Sequence, residues 1–181
     1  MIPLSPAASG DPAWGDGSAN LPRTINWIRT RKSELALSGE ATGTLHKASF
    51  WSECYWAETP AGRWKFRRAG FLMSGAEIVD EVSGQTVAIY KAGWGRKGVL
   101  TFTDGEMYEL SASGLLRPVW AVTTGDGEQL MRLHSRSRTA ELSAATERNR
   151  RTALLLLFAL YRMLQAQEDA SSAVLVAGLA G

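Results

Sequence analysis

Near its carboxyl end the chain carries an apolar run from Ala153 to Leu164, ALLLLFALYRML. Ala, Leu and Met are strong helix formers, and no Gly or Pro interrupts them. Apolar residues cover every direction of a helical wheel, so this helix must be buried on all sides. Asn149 and Thr152 are the candidate caps at its start. The unbroken apolar part, residues 153–161, is nine residues long, whereas a bilayer span needs about 20. Leaving it in water would expose roughly nine large side chains at about 1.5–3 kcal/mol each. The rest of the chain must therefore surround it.

What precedes the helix is strand-forming. From about residue 42 to 134, short β-prone runs are separated by Gly-containing turns, clearest at Ser83-Gly84, Asp104-Gly105 and Asp126-Gly127. Asp-Gly favours the primed turns whose twist matches paired strands. Each interval between these turns accommodates two strands and a further turn, as an antiparallel meander requires. Arg63-Trp64-Lys65-Phe66-Arg67 alternates strictly, with Trp64 and Phe66 on one face and three cations on the other. Residues 48–58, ASFWSECYWAE, are aromatic-rich and strand-like. Thr24 to Leu37 opens as a strand and continues as either helix or strand. At least eight short strands must hide their edges, and closure into a barrel does so. A barrel of about ten or more strands is too wide for its own side chains to fill. A Leu-rich helix along the axis, or clamped between the barrel and another body, meets both needs.

With 181 residues and 45% apolar content, the chain has the size and composition of one globular domain. Residues 1–22 are dominated by Pro, Gly, Ser, Ala and Asp, without the basic segment and apolar core of a secretory signal, and are expected to form a flexible tail. The barrel domain is expected over 23–166, with the core helix at about 152–165. Residues 167–181 follow as a tail or a last strand.

The runs EIVDEVSGQTVAIYKAGWGRKGVLTFTDGEMYEL and RPVWAVTTGDGEQLMRLHS, followed by ALLLLFALYRMLQ, resemble the tubby C-terminal-like fold, nearest to the LURP-one-related and phospholipid-scramblase-like proteins. The carriers are Asp80, Gly84, Val87 and Ile89, then Asp104, Gly105 and Tyr108, then Gly127 and Leu130, then Leu154 to Leu164. The resemblance spans residues 48–166. It implies a mainly β fold, a closed antiparallel barrel of about twelve strands with the helix through its centre. It also implies a non-enzymatic protein of a class whose members, in some cases, bind phosphoinositides or attach to membranes. The scramblase cysteine cluster and calcium run are absent from this sequence, so scrambling activity is not carried over.

Charge is unevenly distributed. The net charge is +2, yet residues 63–100 hold seven basic and three acidic side chains, 101–131 hold one and five, and 132–151 hold six and two. Arg63, Lys65, Arg67 and Arg68 lie on one strand. Lys91, Arg96 and Lys97 flank Trp94 in the Gly-rich loop 93–98. If these eight residues converge, they form a cationic rim with an aromatic at its centre. Such a rim suits lipid headgroups or phosphate. Single-stranded nucleic acid would use the same features but ranks well below lipid.

Sites for covalent or metal chemistry find little support. His46 and His134 stand in or beside strands with no G-x-S-x-G near any Ser. One Cys, Cys54, and two His do not make a zinc site. Asp80 and Glu81, adjacent on a strand, point to opposite faces. Residues 93–98 lack phosphate-loop spacing. The expectation is a non-enzymatic binding or scaffold protein, without metal or cofactor. It would be cytoplasmic and peripheral on the inner membrane face, with an anionic phospholipid surface or a protein as partner. Two rivals are a carrier holding a small apolar ligand in a barrel cavity, with its helix outside, and a tail-anchored protein. Arg162, Glu168 and Asp169 oppose the latter.

Overall fold

The inward-facing side chains of twelve strands close around one helix. The computed structural model describes residues 23–31, 34–38, 42–49, 52–70, 74–114 and 118–179, the last eight as backbone only. The tail expected over 1–22 lies outside the described residues. The strands are β1 (Arg23–Arg31), β2 (Glu34–Ser38), β3 (Gly43–Lys47), β4 (Tyr55–Thr59), β5 (Gly62–Ala69) and β6 (Gly75–Asp80). They continue with β7 (Thr86–Ala92), β8 (Lys97–Phe102), β9 (Met107–Ser113), β10 (Val119–Thr124), β11 (Gln129–His134) and β12 (Thr139–Leu142). A short 3-10 turn, Ala144–Arg148, leads into helix α1, Thr152–Leu179.

Every strand pairs antiparallel with its sequence neighbours, and β1 closes the ring by pairing with both β2 and β12. The closing register runs from Arg23↔Leu142 to Asn26↔Thr139. Closure removes both sheet edges, which answers the aggregation hazard of a long meander. Thr24 to Leu37 resolves into strand throughout its described part, as β1 and most of β2.

Alternation along the strands sends Trp64, Phe66, Ile78, Tyr90, Leu100, Phe102, Leu110 and Val122 inward. They meet Leu154 to Tyr161, all buried, with Leu156 through Tyr161 fully so. Helix α1 approaches β3 and β4 on one side and β10 and β11 on the other, so it lies along the barrel axis. Phe158 is boxed by Phe66 (edge-on, 5.4 Å), Tyr90 (5.7 Å) and Tyr161 (5.7 Å). Such ring pairs add about 0.5–1.5 kcal/mol each beyond their buried area.

A helix fits inside only if some wall positions are small. Ala57, Ala76, Ala88 and Ala140 are fully buried on the wall. Two glycines go further. A Cβ on Gly43 would stand 2.9 Å from the Glu58 carbonyl and 3.0 Å from Leu157. A Cβ on Gly98 would stand 2.2 Å from the Tyr90 hydroxyl, whose ring lies over that bare backbone.

The helix start is built by Asn149, whose Oδ1 accepts the Arg151 backbone N–H at 2.8 Å. The Thr152 hydroxyl instead donates to the carbonyls of Thr146 (2.9 Å) and Asn149 (2.8 Å). The helix does not stop near residue 165. It continues to Leu179, through residues expected to form a tail or last strand. Apolarity ends there, but Gln, Ala and Glu still favour helix and no Pro intervenes. Residues 166–171 are exposed throughout, so this part of the helix emerges from the barrel.

Candidate anionic-surface site

Strict alternation gives the barrel two ends. At the entry end, where α1 goes in, lie the turns at 60–61, 81–85, 103–106 and 125–128. At the exit end lie the hairpins at 93–96 and 135–138, together with Lys47, Tyr55 and Arg68. The entry-end turns carry Asp80, Glu81, Asp104, Glu106, Asp126 and Glu128, offset in part by Arg148, Arg150 and Arg151 at the helix start. The exit end carries Lys47, Arg68, Lys91, Arg96, Lys97, Arg136 and Arg138, against Glu53, Glu168 and Asp169. The barrel is thus polarised along its axis.

The eight residues of the expected rim fall into three sets. Arg63, Lys65 and Arg67 do share the outer face of β5. Each is engaged by a neighbouring strand: Arg63 with Glu58 at 3.2 Å, Arg67 with Glu77 at 2.7 Å, and Lys65 over the Trp56 ring at 5.4 Å. Strand β6 separates them from the second set, as the row Arg67↔Glu77↔Ile89 records.

The second set is the β7–β8 hairpin, where Lys91, Trp94, Arg96 and Lys97 come together. The pairs Lys91↔Val99 and Ala92↔Gly98 hold its arms, and the Gly93 N–H donates to the Lys97 carbonyl at 2.7 Å. Trp94 is 97% exposed. Arg96 sits at φ 63, in the left-handed region that Gly or Asn occupies at lower cost. Its guanidinium reaches the Gly114 carbonyl at 3.4 Å. Lys97 lies 3.7 Å from Glu109. Ile89 and Val99 leave apolar surface exposed on the outer faces of the same two strands.

Arg68 alone makes the third set, with partners the sequence did not suggest. As the next inward position after Phe66, it points to the exit mouth and donates to Asp169 of α1 at 2.6 Å. Lys47 Nζ and the Tyr55 hydroxyl both donate to one oxygen of Glu168, at 2.7 and 3.0 Å. Burial, then the Glu168 charge, push the Tyr55 phenol well above its ordinary value. These groups are more than a hundred residues apart in the chain, so no local pattern could have joined them. Just inside, Arg162 stacks on Tyr90 at 4.5 Å and donates to Gln165, which donates to the Tyr161 hydroxyl at 2.6 Å.

The entry end holds a cavity of about 520 Å³ beside the helix start, walled by Trp64, Val87, Phe102 and Leu154, with Thr103 and Arg151 at its polar side. Arg151 stacks on Phe102 at 3.9 Å and is clamped by Asp104 and Glu106. The Arg151 hydrogen bonds hold the Asp104 carboxyl below its ordinary range. Burial opposes the charge on Arg151, but Asp104 and Glu106 outweigh it and raise its pKa.

The other titratable candidates remain apart. His134 lies 3.2 Å from Glu141 on β12, and His46 stands across from Glu34 and Trp56 on the far side of β1 and β2. Cys54 is half-buried. No group of three or more potential metal ligands occurs among the described residues. Among them, no helix is long and apolar enough to cross a membrane. No family model matches the chain, and neither a curated protein nor a solved structure was found to resemble it.

Proposed function

We propose that this chain is a non-enzymatic binding protein that docks the exit end of its barrel on an anionic phospholipid surface. The observation that carries the reading is Trp94, almost fully exposed on a hairpin tip among Lys91, Arg96 and Lys97. Placing an indole in water is unfavourable, whereas a headgroup layer accepts both its ring and its N–H. The left-handed backbone at Arg96 supports the same reading, since strain retained at a tip is a mark of function. Of the expected rim, the hairpin set contributes most. The β5 set adds little, because carboxylates already neutralise Arg63 and Arg67.

Sedimentation with phosphatidylcholine vesicles, with and without phosphatidylserine, tests this. Binding is expected only with the anionic lipid, weakening as salt rises. Each basic side chain near such a surface is worth about 1 kcal/mol, so replacing Lys91, Arg96 and Lys97 by Gln should weaken binding on the order of a hundredfold. Trp94→Ala should weaken binding at all salt concentrations. Unchanged binding by both variants overturns the reading.

The entry-end cavity supports a second reading, a carrier of a small apolar ligand. The helix fills the barrel interior, so such a ligand would sit at the mouth against Trp64, Phe102 and Leu154. That activity would be indifferent to Trp94.

A further inference from the structure

The exit mouth contains an anion site already occupied by the chain itself. Lys47 Nζ and the Tyr55 hydroxyl converge on one oxygen of Glu168, and Arg68 takes an oxygen of Asp169. The two sides of this contact differ in kind. The donors are fixed in the wall: Lys47 and Arg68 side chains are only 19% and 17% exposed. Lys47 also lies 5.5 Å from the Tyr55 ring centre, and that ring packs edge-on against Tyr161 at 5.2 Å. The acceptors are on the surface: Glu168 and Asp169 are 46% and 61% exposed. They belong to the stretch 166–171, which buries nothing. A half-buried donor set in the wall facing exposed carboxylates is arranged as a receptor with an internal guest.

We infer that Lys47, Tyr55 and Arg68 form a binding site for a phosphate group, masked by Glu168 and Asp169. Two cations and a hydroxyl within reach of two adjacent carboxylates match the oxygens and charge of a phosphomonoester. Moving residues 166–171 aside uncovers no apolar side chain of their own, since all six are exposed. The site lies at the barrel end that carries Trp94, so this inference rests on the membrane reading and names the headgroup chemistry it selects. A lipid phosphate and a free phosphate share that chemistry. Masking lowers apparent affinity by the fraction of molecules whose site is open.

The test uses the full chain and two probes, inorganic phosphate in solution and phosphatidylcholine vesicles containing phosphatidic acid. Glu168→Gln with Asp169→Asn should bind the vesicles about threefold or more tighter than wild type, as unmasking predicts. Adding Lys47→Gln with Arg68→Gln should abolish that gain. Adding Arg136→Gln with Arg138→Gln removes the same charge from the same end and should cost only what net charge explains, clearly less than the loss from the Lys47 and Arg68 pair, with circular dichroism confirming that each variant is folded. Equal losses from the two cation pairs would reduce the effect to net charge and overturn the site. Wild-type vesicle binding that depends on Trp94, with no gain on unmasking, overturns this inference and leaves the membrane reading standing. A gain for inorganic phosphate without vesicle binding by any variant keeps the anion site and overturns the membrane reading. No gain for either probe overturns the inference outright.

Discussion

At the scale of single residues, the entry end shows how one side chain joins the helix start to the wall. Arg151 is covered on one side by Phe102 and met on the other by Asp104 and Glu106. Asp104 also receives Arg150 at 3.2 Å. The Arg151 bonds make the Asp104 carboxyl more acidic in the folded chain than its ordinary value of 3.8. A carboxyl with a depressed folded pKa stabilises the fold above its unfolded pKa. That contribution is lost as pH falls through the folded value. The same sign holds for Asp80, whose oxygen accepts the Ser83 N–H at 2.7 Å and its hydroxyl at 2.9 Å. Asp104→Asn should therefore lower the urea midpoint at neutral pH, and the deficit should shrink steadily as pH falls from the unfolded pKa through the lower folded one. A deficit that stays the same across that range would show that the charge on Asp104 contributes nothing.

At the scale of elements, helix α1 divides at Gln165 into a part that the barrel requires and a part that it does not. A chain ending after Arg151 would leave the interior empty, and such a barrel should not fold. A chain ending after Ala166 keeps every helix residue buried among those described and should fold, with a denaturant midpoint lowered only by loss of the Glu168 and Asp169 contacts to Lys47, Tyr55 and Arg68. Phe158→Ala in the full chain should cost about 3–5 kcal/mol, the usual loss for a buried ring, measured by urea unfolding. A folded, cooperative barrel without residues 152–166 would show that the helix is dispensable. This division also explains what the sequence disclosed. The buried half was legible because an all-round apolar run admits few environments, and strand alternation at Trp64 and Phe66 was legible because inward and outward positions differ in chemistry. The stretch 166–171 was not, because exposed residues such as Gln167 and Ser171 carry no apolar pattern, so loss of hydrophobicity looked like the end of the helix. The hairpin set was legible for a local reason, since Lys91 to Lys97 are neighbours in sequence. The Lys47–Glu168 and Arg68–Asp169 contacts depend on ring closure and on where the helix emerges, and neither is encoded in any short stretch.

At the scale of the whole molecule, the uneven charge along the chain becomes an axis. In a meander, successive turns alternate between the two ends, so acidic turns at 81–85, 103–106 and 125–128 accumulate at one end. Basic hairpins at 93–96 and 135–138 accumulate at the other. A net charge of +2 conceals this separation, which gives the barrel a direction in any external field. An anionic surface would attract the exit end more than the entry end, where Arg148, Arg150 and Arg151 offset part of the acidic charge, orienting the barrel before Trp94 makes contact. Reporter dyes make the orientation measurable, because Cys54 is the chain's one cysteine and its replacement by Ser frees the chain for labelling elsewhere. A polarity-sensitive dye at Ser137→Cys, on the exit-end turn, should shift to the blue on adding phosphatidylserine vesicles. The same dye at Asp126→Cys, on the entry-end turn, should not. Equal shifts at both positions would mean that the molecule meets the surface without preferred direction, and the polarised barrel would then serve solubility rather than docking. The comparison separates the two roles of the same charges, since a solubilising surface needs only mixed signs, whereas a docking surface needs them sorted in space.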